Sequence, residues 1–176
     1  MVDMEHETVL NNFGATSCAD GNVSMSFPGP LSYPAHVSYY YSYPPCCSLS
    51  PIHDPNTTQC DCSSSGNFAA LGHRPPSFVQ EHNVVSLYDH RDPEGRDWKN
   101  RWAGRNVSIE MDCHGSRHSF VAMVVDTCVN AHCLGCCGRG AHRESGFQID
   151  LEYFTAMRNL DNSISCAADG ELTFTF

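Results

Sequence analysis

Val121-Ala122-Met123-Val124-Val125-Asp126-Thr127-Cys128 and Ile149-Asp150-Leu151-Glu152-Tyr153-Phe154 are the two stretches on which the reading of this chain turns. The first is a continuous apolar run that ends on an aspartate and a cysteine, as expected of a strand covered on both sides. A cysteine-rich loop separates it from the second. There Asp150 stands ahead of Leu151, Phe154, Met157 and Leu160, which recur at helical spacing, so Asp150 is expected to cap a short helix. A small β-rich scaffold would bring the two carboxylates to one place.

Working outward, Val107, Ile109, Met111 and Cys113 alternate with Ser108, Glu110 and Asp112, which predicts a strand with one face inward. Leu172, Phe174 and Phe176 alternate with Thr173 and Thr175 and predict a last strand. His36 to Tyr43 is rich in aromatics and predicts another. Residues 44–66 are Pro, Ser, Asn and Cys and read as a long cross-linked loop. Asn67 to Gly72 reads as a short helix closed by its glycine. Residues 1–34 are set apart as an N-terminal extension, with one half-buried strand over Val23–Phe27 that Pro28-Gly29-Pro30 stops. Residues 35–176 are read as one domain.

The 176 residues are enough for one real core. Eleven cysteines, at 18, 46, 47, 60, 62, 113, 128, 133, 136, 137 and 166, are a heavy load for that length. Three glycosylation sequons begin at Asn22, Asn56 and Asn106. Cysteines and sequons together favour an oxidising, extracellular compartment and a disulfide framework. The cysteine count is odd, so one thiol is unpaired or pairs between chains; the connectivity stays open. Residues 1–20 carry no basic start and no apolar block, so a secreted reading expects a leader that has been removed or lies upstream. The net charge of −10 argues against nucleic acid as a partner, and ten histidines make that charge sensitive near pH 6. No membrane partner is expected either.

The order of parts, an apolar strand ending on Asp126-Thr127-Cys128, a loop, then Ile149-Asp150-Leu151 and a helix, resembles the double-psi β-barrel superfamily of expansins, barwin, kiwellin-like proteins, small endoglucanases and septal lytic transglycosylases, whose members typically read V-x-V-x-D-x-C, a loop, then (F/I)-D-L-S and a helix. The resemblance covers roughly 36–176 and is most specific over 121–154. It implies an all-β fold, a six-stranded double-psi barrel with short helices and disulfide-bonded loops. It further implies that Asp126 and Asp150 face a surface groove, with Asp150 as proton donor in hydrolytic members, and that Cys128 is disulfide-bonded. Ser38 stands where the family's first strand usually has threonine, and the preceding glycine is missing. The endoglucanases of this superfamily carry a base aspartate on that strand; here Ser42 holds its position, a condition closer to the non-hydrolytic expansins.

Ser38, Tyr39, Tyr40 and Tyr41 are the candidate substrate-binding residues, since flat rings stack on sugar faces and polar neighbours hold hydroxyls. On a strand Tyr39, Tyr41 and Tyr43 share one face and Tyr40 the other; either set would serve equally as core. Trp98 and Trp102 read as packing residues, Trp102 against the sheet edge. His132-Cys133-Leu134-Gly135-Cys136-Cys137 with His142 has zinc-type donors but incomplete spacing, and disulfides are the better reading, so no metal or other cofactor is expected. Glycine-rich phosphate loops and nucleophile elbows are missing. The leading expectation is a secreted, expansin-like, non-hydrolytic polysaccharide-binding protein, with the cell wall one such setting. One rival is a glycoside hydrolase or lytic transglycosylase using Asp150 as acid. Another is a structural subunit of an extracellular fibre or coat, self-associating through residues 1–34. A kiwellin-like grip on a foreign protein is the third.

Overall fold

The structure, a computed structural model, describes residues 31–57, 61–132, 134–168 and 170–176. In chain order the elements are β1 (Ser32–Tyr40), β2 (Asn67–Phe68), β3 (Gly72–His73), α1 (Pro76–Glu81), β4 (Val84–Asp89), α2 (Trp98–Arg101), β5 (Asn106–Cys113), β6 (Ser116–Asp126), α3 (Cys136–Gly140), β7 (Phe147–Glu152), α4 (Tyr153–Asn159) and β8 (Gly170–Thr175). The fold is mainly β. Six strands hydrogen-bond in a closed ring in the order β1-β7-β4-β6-β5-β8. Two neighbouring pairs, β1 with β7 and β4 with β6, run parallel, and the others run antiparallel. Closure leaves no unpaired edge among these six strands, which a small chain with little helix to cover edges requires.

Alternation sorts each strand into two faces. Ala35 and Val37, Val85 and Leu87, Val107 and Ile109, Ile149 and Leu151, and Leu172 and Phe174 point into one cluster and are buried. Trp98 and Trp102 belong to that core rather than to a sheet edge: both are buried, and Trp102 meets Phe147 edge-on at 5.8 Å. A second apolar cluster of Tyr43, Phe68, Val79, Val84 and Val125 lies on the other side of the sheet, with Phe78 of α1 and Phe154 of α4 packed on it. β4 is therefore buried on both faces over its whole length.

The alternating stretch from 107 to 113 forms β5, and the C-terminal one forms β8. Three expectations are corrected. Asp150 does not cap a helix; it lies within β7, and Glu152 caps α4 by accepting from the Phe154 amide at 2.7 Å. Residues 67–73 form the small antiparallel β2–β3 hairpin instead of a helix, with Gly72 at φ +67° serving its turn. Tyr41 and Tyr43 lie beyond the end of β1, so neither shares a strand face with Tyr39. β1 itself begins at Ser32, and the strand expected over Val23–Phe27 lies outside the described residues.

Disulfides join Cys47 to Cys62, Cys113 to Cys166 and Cys128 to Cys137, and Cys46 and Cys136 are also disulfide-bonded. Cys18, Cys60 and Cys133 lie outside the described residues. Such cross-links fit an extracellular protein. No helix among the described residues is long and apolar enough to cross a membrane.

Candidate functional site

The inward face is filled with apolar side chains, and Ser38 of β1, Gln148, Asp150 and Glu152 of β7 and Ser86 of β4 alternate with them onto the outward face. Ser38 of β1 lies in register with Asp150 of β7, and Asp150 lies in register with Ser86 of β4. Ser86 is in turn the register partner of Asp126 on β6. The last pairing depends on an irregularity. Val84 and Val85 pair with Met123 and Val124, and the register then gains one residue on β6, so that Val125 is passed over and Asp126 meets Ser86. A bulge of this kind re-aims the residue that follows it. Ser38, Asp150, Ser86 and Asp126 thus form one row across four strands. The two aspartates flank Ser86, their backbones about 10 Å apart, two strand spacings.

The row is tightly bonded at Asp150. Its Oδ1 accepts from the Ser38 hydroxyl and from Gln148 Nε2 at 2.6 Å, and Gln148 Nε2 also donates to Ser38 Oγ at 3.1 Å. The Ser86 hydroxyl adds another hydrogen bond. Asp150 is only 8 % exposed. Burial raises its pKa above the ordinary 3.8, against the lowering pull of the Ser38, Gln148 and Ser86 hydrogen bonds and of the His36 charge. Next along β7, Glu152 is buried too; burial raises its pKa, opposed by the Ser42 hydroxyl at 2.8 Å and the amides at the start of α4. Asp126 is half-buried, and its Oδ1 accepts from the Thr127 amide at 2.9 Å.

Tyr40 joins the acids. Its hydroxyl is out of solvent and has no hydrogen-bond partner among the described residues. Burial pushes its pKa well above 10, and the charges of Asp126, Glu152 and Asp150 push it the same way. Tyr40 therefore stays a neutral O–H donor amid three carboxylates. Tyr39 and Tyr41 are half-buried, edge-on to each other at 5.7 Å, and Tyr41 stacks on Tyr153 at 5.0 Å. These rings form an aromatic patch at the same end of β1. Tyr43 serves the fold: it is buried and its hydroxyl donates to the Arg74 carbonyl.

So Ser38, Tyr40, Asp126 and Asp150 do converge, though Asp150 and the Tyr40 hydroxyl are buried rather than set in an open groove. Gln148, Ser86, Glu152 and Tyr153 were not anticipated. Counting by twos from Asp150, once it is known to lie on a strand, would have found Gln148 and Glu152. Asn56 and Asn106 are exposed, as glycan acceptors must be; Asn22 lies outside the described residues. The zinc-type stretch is committed to disulfides at Cys136 and Cys137.

The raised pKa of Asp150 has a consequence for stability. The folded protein holds the Asp150 proton more tightly than the unfolded chain does. The carboxyl's favourable contribution is complete below its unfolded pKa and is lost as pH rises through the folded one. Asp150→Asn keeps the acceptor toward Ser38 and Gln148 without the buried charge. Its melting temperature is expected to exceed that of the parent at pH 7, with the gap closing below about pH 4. Thermal melts across that range check the sign; an equal or lower melting temperature at pH 7 would contradict it.

Set against known proteins, the chain matches no family model, no curated protein and no solved structure.

Proposed function

We propose that this chain is a secreted polysaccharide-binding protein of double-psi β-barrel type, acting at a cell wall or a comparable extracellular matrix, and that it binds through the row Ser38, Asp150, Ser86 and Asp126 with Tyr40. The observation that carries the reading is the Tyr40 hydroxyl: a neutral donor without a partner among the described residues, surrounded by carboxylates. A sugar hydroxyl accepts from such a phenol and donates to a carboxylate, while a ring face covers the aromatic side chains. The closed six-stranded ring with two parallel pairs supports the barrel type.

Binding is favoured over cleavage by the state of the acids. General acid–base hydrolysis needs one protonated carboxyl and a second carboxylate with room for water. Glu152 is held at the start of α4 by the Ser42 hydroxyl and the Phe154 amide, and Ser42 stands where the hydrolytic relatives of the resembled superfamily have their base.

Pull-down of the intact chain on cellulose, chitin, peptidoglycan and polygalacturonate, with a parallel assay for released reducing ends or anhydro-sugars, tests this. Retention without release is expected on one of the four. Tyr40→Phe is expected to weaken retention about tenfold, the worth of one hydrogen bond. Release that Asp150→Asn abolishes would replace the binding reading with the hydrolytic one. No retention on any of them would end both.

A further inference from the structure

On β1 and β7 the outward row continues past Ser38 and Asp150 to His36 and Gln148, which are themselves in register. Beside them opens a cavity of about 510 Å³, lined by His36, the end of α3 at Arg139 and Gly140, the following residues 141–144, and Glu171 of β8. That size falls within the range of roughly 300–1,000 Å³ typical of small-ligand sites. The cavity adjoins the Asp150 row directly: a Cβ on Gly140 would come within 2.6 Å of Gln148 Oε1, so only a glycine lets this loop close over Gln148 without displacing its amide. That amide is the group whose nitrogen holds Ser38 and Asp150.

The loop is a built structure. The His142 amide donates to the Phe147 carbonyl at 2.9 Å, the Gly146 amide to the His142 carbonyl at 2.8 Å, and the Ser145 hydroxyl to the Pro34 carbonyl at 2.5 Å. His142 Nδ1 accepts from the amides of Glu144 and Ser145 at 3.3 and 3.4 Å, which places the ring proton on Nε2, 3.8 Å from Glu171. Within this frame the guanidinium groups keep most of their donors. Arg139 uses one nitrogen on the Leu134 carbonyl at 2.7 Å. Arg143 makes no hydrogen bond or ion pair to any described residue. In a chain of net charge −10, two arginines and two histidines thus line one cavity at the end of the sugar row, with Glu144 and Glu171 as their acidic neighbours.

We infer that this cavity is a subsite for a carboxylate-bearing sugar unit, a hexuronate, next to the unit held at Asp150. The inference rests on the polysaccharide reading above and specifies its substrate. Arginine forks match a carboxylate with two parallel hydrogen bonds, while Glu144 and Glu171 accept from the hydroxyls of the same ring. A neutral sugar would leave the guanidinium groups without a charged partner. A polyanion lacking ring hydroxyls would meet the two glutamates unopposed.

The test is calorimetric titration of the intact chain with an α-1,4-linked trigalacturonate, with its methyl ester, and with cellotriose. The free acid is expected to bind about tenfold more tightly than the ester, corresponding to one charge-assisted contact. Arg139→Ala/Arg143→Ala is expected to remove that preference. Both arginines are exposed, so an unchanged melting temperature verifies the fold. Arg143→Lys, which keeps the charge without the fork, is expected to retain only part of the preference. Equal affinity for acid and ester, or a preference that survives in the double variant, overturns this assignment while leaving the Asp150 row intact as a neutral-sugar site. Failure of all three ligands together with failure of the polysaccharide pull-down overturns the underlying reading as well.

Discussion

Removing the Cys113–Cys166 disulfide is expected to cost about 4 kcal/mol, the largest loss among the described cross-links. The bridge ties the last residue of β5 to the turn that precedes β8, across 53 residues. Those residues contain β6, α3, β7 and α4. In the unfolded chain this is the longest of the described loops, so its closure withdraws the most entropy. The same relation gives roughly 3 kcal/mol for the 15-residue span of Cys47–Cys62 and roughly 2.5 kcal/mol for the 9-residue span of Cys128–Cys137. Domains of this size are commonly stable by only about 5–15 kcal/mol. Cys113→Ala/Cys166→Ala should therefore unfold at distinctly lower urea, and it should lose more than the corresponding Cys128/Cys137 variant. The reverse order would show that strain or residual structure, not loop length, sets the contribution of these bridges.

Asp89→Ala is the second large effect, expected at about 2–3 kcal/mol. Asp89 ends β4 and is 2 % exposed. Arg91 grips it with Nε at 2.8 Å and Nη2 at 2.7 Å, the Arg91 amide adds 3.0 Å, and the buried Trp102 indole donates at 3.3 Å. Burial alone would raise the Asp89 pKa, but the Arg91 hydrogen bonds and charge, with the Trp102 indole, outweigh it and hold the carboxyl below 3.8. A depressed folded pKa means that the stabilisation is present above the unfolded value and is lost as pH falls through the folded one. Alanine would strand the indole N–H in the core and leave the Arg91 fork unmatched. The arginine side chain is half exposed, which keeps the expected loss below that of a fully enclosed pair. Urea unfolding at pH 7 and at about pH 2.5 checks both parts: the variant should be weaker at neutral pH and should lose less on acidification. An unchanged acid limb would show that other carboxylates carry it.

Asp89 and Asp150 sit on adjacent strands with opposite shifts, and the sequence distinguishes them poorly. Both stand in strands amid apolar residues. What separates them is the company: Asp89 has a guanidinium, whereas Asp150 has hydroxyls and an amide. Both hydroxyls, those of Ser38 and Ser86, come from strands distant in the chain. Period-two alternation was readable at Val107–Cys113 and Leu172–Phe174 because those strands have one wet face. It was masked over Phe147–Glu152, where the outward face is buried as well, so Leu151 was free to be counted into the helix that follows it. The error at Asp150 was thus one of boundary: a carboxylate does cap α4, two residues further on. The Val125 bulge could not be read at all, since a register is a relation between strands. Yet it decides whether Asp126 belongs with Ser86. Ser38 and Tyr40 were legible because an aromatic strand puts residues two apart on one face.

The placement of Ser38, Ser86, Gln148 and Asp126 outside the inward core cluster has an engineering consequence. The interior is complete without Ser38, Ser86, Gln148 or Asp126, so these positions constitute a chassis on which ligand preference can be rewritten. Libraries confined to them, with Gly140 and the bulge left untouched, should yield many folded members, and selection on immobilised glycans would then sample recognition apart from foldability.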